Sequence, residues 1–318
     1  MVSVTTRIAS PQEKCRPMSN PLHLLLCLGG VMTALPFLGF SQTARHPFDW
    51  QGHRGARGLA PENTVSAFLQ ALSYPWVTTL EMDLAVSKDG FLVVSHEPWM
   101  SDAICLQPDG SPVPAGSADS HKLMDLTYQE IQAYDCGSRG NPRFPAQRQE
   151  AAHKPSLNTV VDSVRKYCRE HDRPLPAFNI EIKSQPSYDG VYTPPVAEFA
   201  RLTVATLHDL GIDRRSTVQS FDPRALRAVH ELDPTQATAL LVEKPGDPGT
   251  FLAQLGFQPT VYSPYHRLLR KRQIDHLHQI GIRVIPWTVN DTKAMRKLIR
   301  RGVDGIITDY PDRAWPVR

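Results

Sequence analysis

The sequence lacks several patterns that would point to large classes of protein. It has no glycine-rich G-x-G-x-x-G fingerprint, which argues against a dinucleotide-binding sheet. It shows no internal repeat and no sign of a second folded domain. It also lacks an excess of one charge, because 35 basic against 32 acidic residues give +3. Three basic residues and one acid in the first 41 positions account for +2, which leaves +1 for the rest. Nucleic acid is therefore not an expected partner.

Residues 1–41 are interpreted as a signal peptide or an N-terminal membrane anchor. Basic residues precede an apolar run, LLLCLGGVMTALPFLGF, between Leu24 and Phe40. The small residues Gly39 and Ser41 have the spacing of a signal peptidase site, whereas the run is slightly short for a spanning helix. We expect cleavage near Ser41 and export to the periplasm or the extracellular space. Membrane contact is expected only through this segment, if it is retained.

Cysteine is scarce, with five residues in the chain, two of them in the expected leader. Cys105 and Cys136 both lie in a loop-like region, and a disulfide between them would suit an exported protein. Cys168 falls in line with valines on a helical face, so we expect it to be a buried free thiol.

The remaining sequence, residues 48–318, alternates short apolar runs with amphipathic helical stretches. Nine strand candidates are present: WQGHRG, TLEMDLAV, FLVVSH, AFNIEIK, STVQSF, ATALLVE, TVYSPY, IRVIPWTV and GIITD. About eight strand–helix units predict an α/β fold, a (β/α)8 TIM-type barrel. One strand is then accessory, and the turn signal SKDG predicts that FLVVSH pairs back on TLEMDLAV. An open, doubly wound sheet is the alternative.

A long insertion interrupts the alternation after the third strand segment. Residues 98–155 are rich in proline, glycine, serine and glutamine. Long loops in compact domains are usually functional or disordered. We therefore treat this segment as an insertion lobe of the barrel domain.

Polar residues occur where the predicted strands end. Residues i and i+2 of a strand share a face, so Glu81 and Asp83 project together, away from the face of Leu80, Met82 and Leu84. In a barrel the carboxyl ends of all strands converge. The residues that would meet there are His53, Arg54, Glu81, Asp83, His96, Glu181, Lys183, Gln219 and Trp287.

This set suits metal-assisted hydrolysis of a phosphoester. The carboxylates of Glu81, Asp83 and Glu181 would form a hard oxygen site for Mg²⁺ or Ca²⁺. Arg54 and Lys183 can bind a phosphate, and two histidines can serve as acid and base.

Each residue also has an ordinary structural interpretation. A histidine at a strand end is often only a hydrogen-bonded structural residue, and Lys183 could simply pair with Glu181. Gln219 and Trp287 could equally contact substrate or line the barrel. The functional interpretation rests on all of these residues sharing one predicted face.

Several segments resemble the glycerophosphodiester phosphodiesterase family. They are GHRGARGLAPENTVSAF and LEMDLAVSKDGFLVVSHEP, followed in the family's order by NIEIK, VQSFDP, PWTVND and DGIITDYP. The resemblance extends from about residue 50 to 312. It implies a TIM-type barrel and hydrolysis of a glycerophosphodiester to sn-glycerol 3-phosphate and an alcohol. Water can attack directly, or a glycerol hydroxyl can attack first and give a cyclic phosphate.

The resemblance also implies a role for each site residue. Glu81, Asp83 and Glu181 become the ligands of one divalent cation, Ca²⁺ or Mg²⁺. His53 and His96 become the acid–base pair, and Arg54 and Lys183 the phosphate contacts. Gln219 and Trp287 are expected on the substrate-binding surface. Glu97 stands where the family usually has aspartate, and we expect it to orient His96.

Two other functions fit parts of this pattern. A phospholipase of the sphingomyelinase D or phosphatidylinositol type would share the histidines and carboxylates. It would also need an apolar rim, whereas the insertion is polar and has few aromatic residues expected to be exposed besides Trp99. A non-catalytic surface protein that binds head groups is expected to have lost a histidine or a ligand, and this chain retains every one. We therefore expect an exported enzyme that hydrolyses glycerophosphodiesters in the scavenging of phospholipid head groups.

Overall fold

The computed structural model describes residues 47–317, so the expected leader lies outside the described part of the chain. The strands are β1 (Asp49–Gly52), β2 (Thr79–Val86), β3 (Leu92–Val94), β4 (Ala177–Ile182), β5 (Ser216–Ser220), β6 (Ala237–Val242), β7 (Val261–Pro264), β8 (Arg283–Val284) and β9 (Gly305–Thr308). Eight of them pair in parallel in the order β8-β7-β6-β5-β4-β2-β1-β9. Backbone bonds from Ile307 to Pro286 (3.1 Å) and from Val289 to Ile307 (2.9 Å) bring the two ends of the sheet together. The predicted TIM-type barrel is confirmed.

The accessory strand is β3, as the turn signal predicts. It pairs antiparallel with β2 through Leu84–Val94, Ala85–Val93 and Val86–Leu92. The tight turn at Lys88–Gly90 includes Gly90 at φ 84°, a conformation that glycine adopts without steric cost. This hairpin carries the chain back across the rim of the barrel and places His96 there.

Helices cover the outside of the sheet. They are α1 (Val65–Leu72), α3 (Leu157–Glu170), α4 (Val196–Asp209), α5 (Pro223–Leu232), α6 (Pro248–Leu252), α7 (Lys271–Gln279) and α8 (Thr292–Arg301), with α2 (Tyr128–Gln132) in the insertion. Several begin at side chains that accept a backbone N–H: Thr64 from Ala67, Ser156 from Thr159 and Asp291 from Ala294. Such caps satisfy donors that the first helical turn leaves unpaired.

The sequence pattern of β2 divides the barrel into an apolar outside and a polar inside. Leu80, Met82 and Leu84 are fully buried in the hydrophobic cluster formed with the surrounding helices. Glu81 and Asp83 are also buried, at 2% and 1% exposure, and point to the opposite face. The strand is therefore buried on both faces, and its carboxylates lie inside the barrel.

The insertion folds around a small hydrophobic cluster of its own. Cys105 and Cys136 are joined by a disulfide, and buried Leu123 and Ile131 pack in the same cluster. Ala85 and Val93 of the β2–β3 hairpin complete it. Among the described cysteines Cys168 is the free thiol, and it is buried.

Within residues 47–317, no helix has the length and apolar character that crossing a membrane requires.

Candidate active site

A cavity of about 680 Å³ opens where the barrel strands end. Its wall includes eight of the nine predicted site residues: His53, Arg54, Glu81, His96, Glu181, Lys183, Gln219 and Trp287. The ninth, Asp83, lies beside Glu181 in the strand register. The structure therefore brings together residues that are more than 200 positions apart in the chain, because parallel strands end on one side of a barrel.

Three carboxylates form a buried cluster below this cavity. Glu81, Asp83 and Glu181 each offer an oxygen, and these oxygens lie within 4.8 Å of one another. Register explains the arrangement, since Asp83 of β2 is the direct neighbour of Glu181 on β4 and Glu81 lies one inward-facing position earlier.

The electrostatics of this cluster indicate that it needs additional positive charge. Burial and the neighbouring Asp83 charge raise the pKa of Glu81 well above its ordinary value. Burial raises the pKa of Glu181 to about 7, although Lys183 opposes this shift. Burial also disfavours ionisation of Asp83, but the Arg54 guanidinium and other nearby cationic groups hold the pKa of Asp83 well below its ordinary value.

The donor set fits one hard divalent cation. Carboxylate oxygens are the ligands that Ca²⁺ and Mg²⁺ prefer, at metal–oxygen distances of about 2.0–2.6 Å. Two such bonds can span about 4–5 Å, which agrees with the spacing of the three oxygens. The protein's own cations leave two of the three carboxylates with raised pKa values, and a bound cation would remove that cost.

His53 follows β1 and is held by Asp309, which follows β9. The ring Nδ1 lies 2.6 Å from Oδ1 of Asp309, and Arg57 donates to the same oxygen through Nε at 2.8 Å. Burial and the Arg57 charge lower the pKa of His53 to about 4. Because Nδ1 is engaged with Asp309, Nε2 points toward the carboxylate cluster, 3.8 Å from Oε2 of Glu81.

His96 follows the β3 strand and is paired with Glu97. Its Nδ1 lies 2.7 Å from Oε1 of Glu97, which agrees with the expectation that this acid orients His96. Burial opposes ionisation of Glu97, but its hydrogen bond to His96 and the charge of that ring lower the pKa of Glu97 to about 2. The His96 side chain is 30% exposed against 11% for His53, so it is the more accessible of the two histidines.

Arg54 and Lys183 place two cations beside the carboxylates. The Arg54 side chain pairs with Glu62 at 2.6 Å and with Asp83 at 3.2 Å. Its backbone N–H donates to Oε2 of Glu81 at 2.8 Å from a left-handed conformation with φ 50°. Lys183 lies 3.0 Å from Glu181, so the pairing considered from the sequence is present while the residue also lines the cavity.

A family model described as the glycerophosphoryl diester phosphodiesterase family matches residues 53–313 of this chain. The chain belongs to this family. The YhdW protein of Bacillus subtilis (strain 168) is 30% identical over 264 residues, covering 82% of this chain and 93% of the relative. A glycerophosphodiester phosphodiesterase of the same organism is 27% identical over 266 residues, 82% of this chain and 83% of that enzyme.

Solved structures share the barrel. An Oleispira antarctica phosphodiesterase in complex with the product sn-glycerol-3-phosphate superposes with a TM-score of 0.65 at 21% identity. The match covers 85% of this chain and 96% of that one. The solved structure confirms the fold, and the family match confirms the resemblance to the glycerophosphodiester phosphodiesterases over residues 53–313.

Gln219 makes contacts inside the barrel that the sequence does not indicate. Its amide nitrogen donates to Oε1 of Glu81 at 2.7 Å, and its oxygen accepts from Asn179 at 2.9 Å. The same Asn179 nitrogen donates to Gln51 at 2.8 Å. Gln219 therefore lines the cavity, but its amide is used on both sides to position a carboxylate.

Trp287 lies in an aromatic part of the cavity wall. Its ring packs edge-to-face on Phe221, with centroids 5.4 Å apart, and lies 5.7 Å from Tyr265. Its indole N–H donates to the Ser263 carbonyl at 2.9 Å, which fixes the ring. A fixed apolar wall of this kind can contact the non-phosphate part of a substrate.

Four residues of the site were missed from the sequence. Asp309 and Arg57 position His53, Glu62 pairs with Arg54, and Asn63 donates to Asp83 at 2.9 Å. The strand-end rule could have found Asp309, since it directly follows GIIT. Glu62 and Asn63 belong to the PENT segment, and no spacing rule indicates their partners.

Proposed function

We propose that this protein hydrolyses glycerophosphodiesters to sn-glycerol 3-phosphate and an alcohol with the help of one divalent cation. The proposal is carried by a buried cluster of three carboxylates that lies beside two histidines at one cavity. Each histidine contacts a further carboxylate through its Nδ1. Family membership supports the reaction class. The product bound to the Oleispira antarctica relative supports the choice of substrate.

The cation would be held by Glu81, Asp83 and Glu181. When bound, it supplies positive charge to a phosphoryl oxygen and to the developing charge of the transition state. Arg54 and Lys183 border the same cavity. They add fixed positive charge, Arg54 through a planar fork and Lys183 through a compact ammonium. These residues bind and orient the anionic diester.

The histidines move the protons of the reaction. In each ring Nδ1 contacts a carboxylate, so Nε2 is left to exchange a proton with substrate or water. One histidine accepts a proton from the attacking oxygen, that of water or of the glycerol hydroxyl, as this oxygen bonds to phosphorus. The other donates a proton to the alcohol oxygen as the phosphorus–oxygen bond to that alcohol breaks. Where the glycerol hydroxyl attacks, water then opens the cyclic phosphate to sn-glycerol 3-phosphate.

We propose that the protein acts after export. The apolar run that ends near Ser41 and the disulfide between Cys105 and Cys136 support this location, because disulfides persist in oxidising compartments. Cell fractionation followed by mass spectrometry would test this location. We expect the protein outside the cytoplasm with an N-terminus near Ser41, and a full-length chain in the cytoplasm would contradict the proposal.

The reaction is tested by measuring release of sn-glycerol 3-phosphate from glycerophosphocholine by the purified protein. Release is expected to stop with EDTA, to return with Ca²⁺ or Mg²⁺, and to be lost in His53→Ala. Vesicles that contain sphingomyelin and phosphatidylinositol serve as the comparison substrate. Hydrolysis of the vesicle lipids but of no soluble diester would show that the substrate is an intact lipid. Tight binding of a diester without turnover would indicate a binding protein.

A further inference from the structure

Positive charge is concentrated in the last two helical units of the barrel. Residues 266–301 contain ten lysines and arginines against two acids, Asp275 and Asp291, which gives this segment a net charge of +8. The whole chain carries only +3, so all other residues together sum to −5. The nearly neutral total therefore conceals a strong local asymmetry.

These charges lie on the outer sides of two helices that pack on the same buried cluster. Arg270, Lys271 and Arg272 at the start of α7 and Lys293, Lys297 and Arg300 of α8 are all exposed. The apolar sides of both helices enter the same buried cluster, which leaves their basic sides outward. Arg301 donates to the Leu269 carbonyl at 2.9 Å and so joins the end of α8 to the start of α7. We call this surface the α7–α8 basic face.

The acids of the segment do not neutralise this face. Asp275 pairs with Lys271 on α7. Asp291 accepts the Ala294 N–H at 2.8 Å as the N-cap of α8. One acid is used for a local pair and the other for a cap, and Arg283 is paired outside the segment with Asp49 at 3.6 Å. The net positive charge of the exposed lysines and arginines on α7 and α8 still attracts anionic surfaces.

We propose that the α7–α8 basic face docks the protein on an anionic lipid surface. Charge complementarity supports this partner, since a cluster of lysines and arginines binds the negative surface potential of anionic lipids. Trp287 is the only phenylalanine, tyrosine or tryptophan in residues 266–301, and it lies in the cavity wall. Single-stranded nucleic acids are bound by exposed aromatic platforms as well as by charge, so this face lacks half of that requirement.

One edge of the face offers an apolar contact and the other adjoins the cavity. Ile280, at the end of α7, is 39% exposed and can enter the interfacial layer of a bilayer. At the other end, the turn His266–Leu268 follows Tyr265, which lines the cavity. Docking would therefore keep the cavity near lipid, where head-group diesters are released. This consequence rests on the proposed function, whereas the docking itself does not.

Vesicle sedimentation tests the proposal without using catalysis. The purified full chain is mixed with phosphatidylcholine vesicles, or with vesicles that also contain phosphatidylglycerol, at low and at high NaCl. Binding is expected to require phosphatidylglycerol and to weaken with salt, because a surface charge is screened within about 10 Å at 0.1 M salt. The phosphatidylcholine arm measures any contribution of the apolar run at 24–40, which salt does not weaken.

A pair of charge-matched variants locates the surface. The triple variant Lys293→Gln, Lys297→Gln, Arg300→Gln is expected to lose on the order of 100-fold in vesicle partitioning. The control triple Lys166→Gln, Arg169→Gln, Arg201→Gln removes the same charge from exposed positions on α3 and α4 and is expected to bind nearly as the parent does. A third variant, Lys293→Arg, Lys297→Arg, Arg300→Lys, keeps the charge and is expected to retain binding.

Four results would overturn the proposal. These are equal binding to both kinds of vesicle, binding that salt does not weaken, equal losses in the two neutralised triples, and tighter binding to a single-stranded oligonucleotide at the same salt. Thermal unfolding and the turnover of a soluble diester are measured for every variant. Unchanged values separate loss of docking from loss of folding or of the proposed activity.

Discussion

Replacement of Asp309 by asparagine tests whether this residue sets the proton position on His53. The carboxylate is 1% exposed and contacts Nδ1 of His53 at 2.6 Å, Nε of Arg57 at 2.8 Å and Nδ2 of Asn290 at 2.7 Å. An asparagine has one oxygen for these three donors. If that oxygen takes the Oδ2 position, it still accepts from Nδ2 of Asn290 and from Nη2 of Arg57. The amide nitrogen then occupies the Oδ1 position and its N–H faces Nδ1 of His53, so the ring must carry its proton on Nε2 instead.

The magnitudes follow from these contacts. A histidine with its proton on the wrong nitrogen loses its acid–base role, which is worth about 10²–10⁴ in rate, so kcat/KM is expected to fall by that factor. Among the described residues, removing the charge leaves Glu62, 3.9 Å away, as the carboxylate paired with buried Arg57. Breaking a buried ion pair costs about 3–5 kcal/mol of unfolding free energy, and Glu62 should keep the loss toward the lower end.

The pH dependence of this stability difference has a definite sign. Although burial opposes ionisation, the charges of His53 and Arg57 hold the pKa of Asp309 below its ordinary value of 3.8. The contribution of the carboxylate is therefore complete above about pH 4 and is lost as the pH falls further. The gap in unfolding free energy between the parent and Asp309→Asn should narrow below pH 4.

The assay is a double-mutant cycle on kcat/KM with His53→Ala, at a temperature where all variants are folded. If Asp309 acts through His53, Asp309→Asn should cost little additional activity in the His53→Ala background. Equal losses in both backgrounds would refute the reasoning. A variant that is destabilised but turns over at the parent rate would reduce Asp309 to a structural partner of Arg57.

Three further predictions concern other parts of the site and the insertion. Gln219→Leu removes the N–H that holds Glu81 and should weaken metal affinity about 10–100-fold, less than Glu81→Gln does, as measured by calorimetric titration; equal effects of the two changes would contradict a positioning role. His96→Ala should lower kcat/KM by about 10²–10⁴ while leaving metal titration unchanged, and a near-parent rate would remove His96 from the mechanism. Cys136→Ser opens a disulfide that spans 31 residues and should lower the unfolding free energy by about 3–4 kcal/mol, whereas an unchanged denaturation midpoint would show that the bond with Cys105 does not restrain the chain.

Local patterns were sufficient to predict the barrel and most of the cavity wall. Alternation of polar and apolar residues in a strand indicates which side chains share a face. In TLEMDLAV it already places Glu81 and Asp83 on the face opposite the leucines beside them. The convergence of strand ends is a property of the fold itself. Once eight strand–helix units were recognised, residues as distant as His53 and Trp287 were expected to lie in one cavity, and they do.

The partners of these residues could not be predicted in the same way. Asp309 and His53 are 256 positions apart, and no periodicity relates them. Gln219 lies in the cavity wall, where it was expected, but the strand pattern does not indicate that its amide also contacts Glu81 and Asn179. Each of these contacts depends on side-chain distances inside the barrel, which the strand pattern leaves open.

The net charge and the location of the basic residues also differ in what they reveal. The total of +3 predicted no basic surface, because a sum does not record where its members lie. The positions of α7 and α8 bring the basic residues together, and the proposed docking surface adds a membrane contact that was expected only through residues 1–41.

The sequence by itself determined the alternation of strands and helices, the buried faces, the carboxylates and histidines that meet at the cavity, and the family. It could do so because periodicity and residue chemistry are local properties of the chain. Only the tertiary structure decided which carboxylate holds His53, which amide holds Glu81, and that the basic residues at the start of α7 and along α8 lie exposed. These are properties of distance in space, and they exist only after the barrel has brought its strands together.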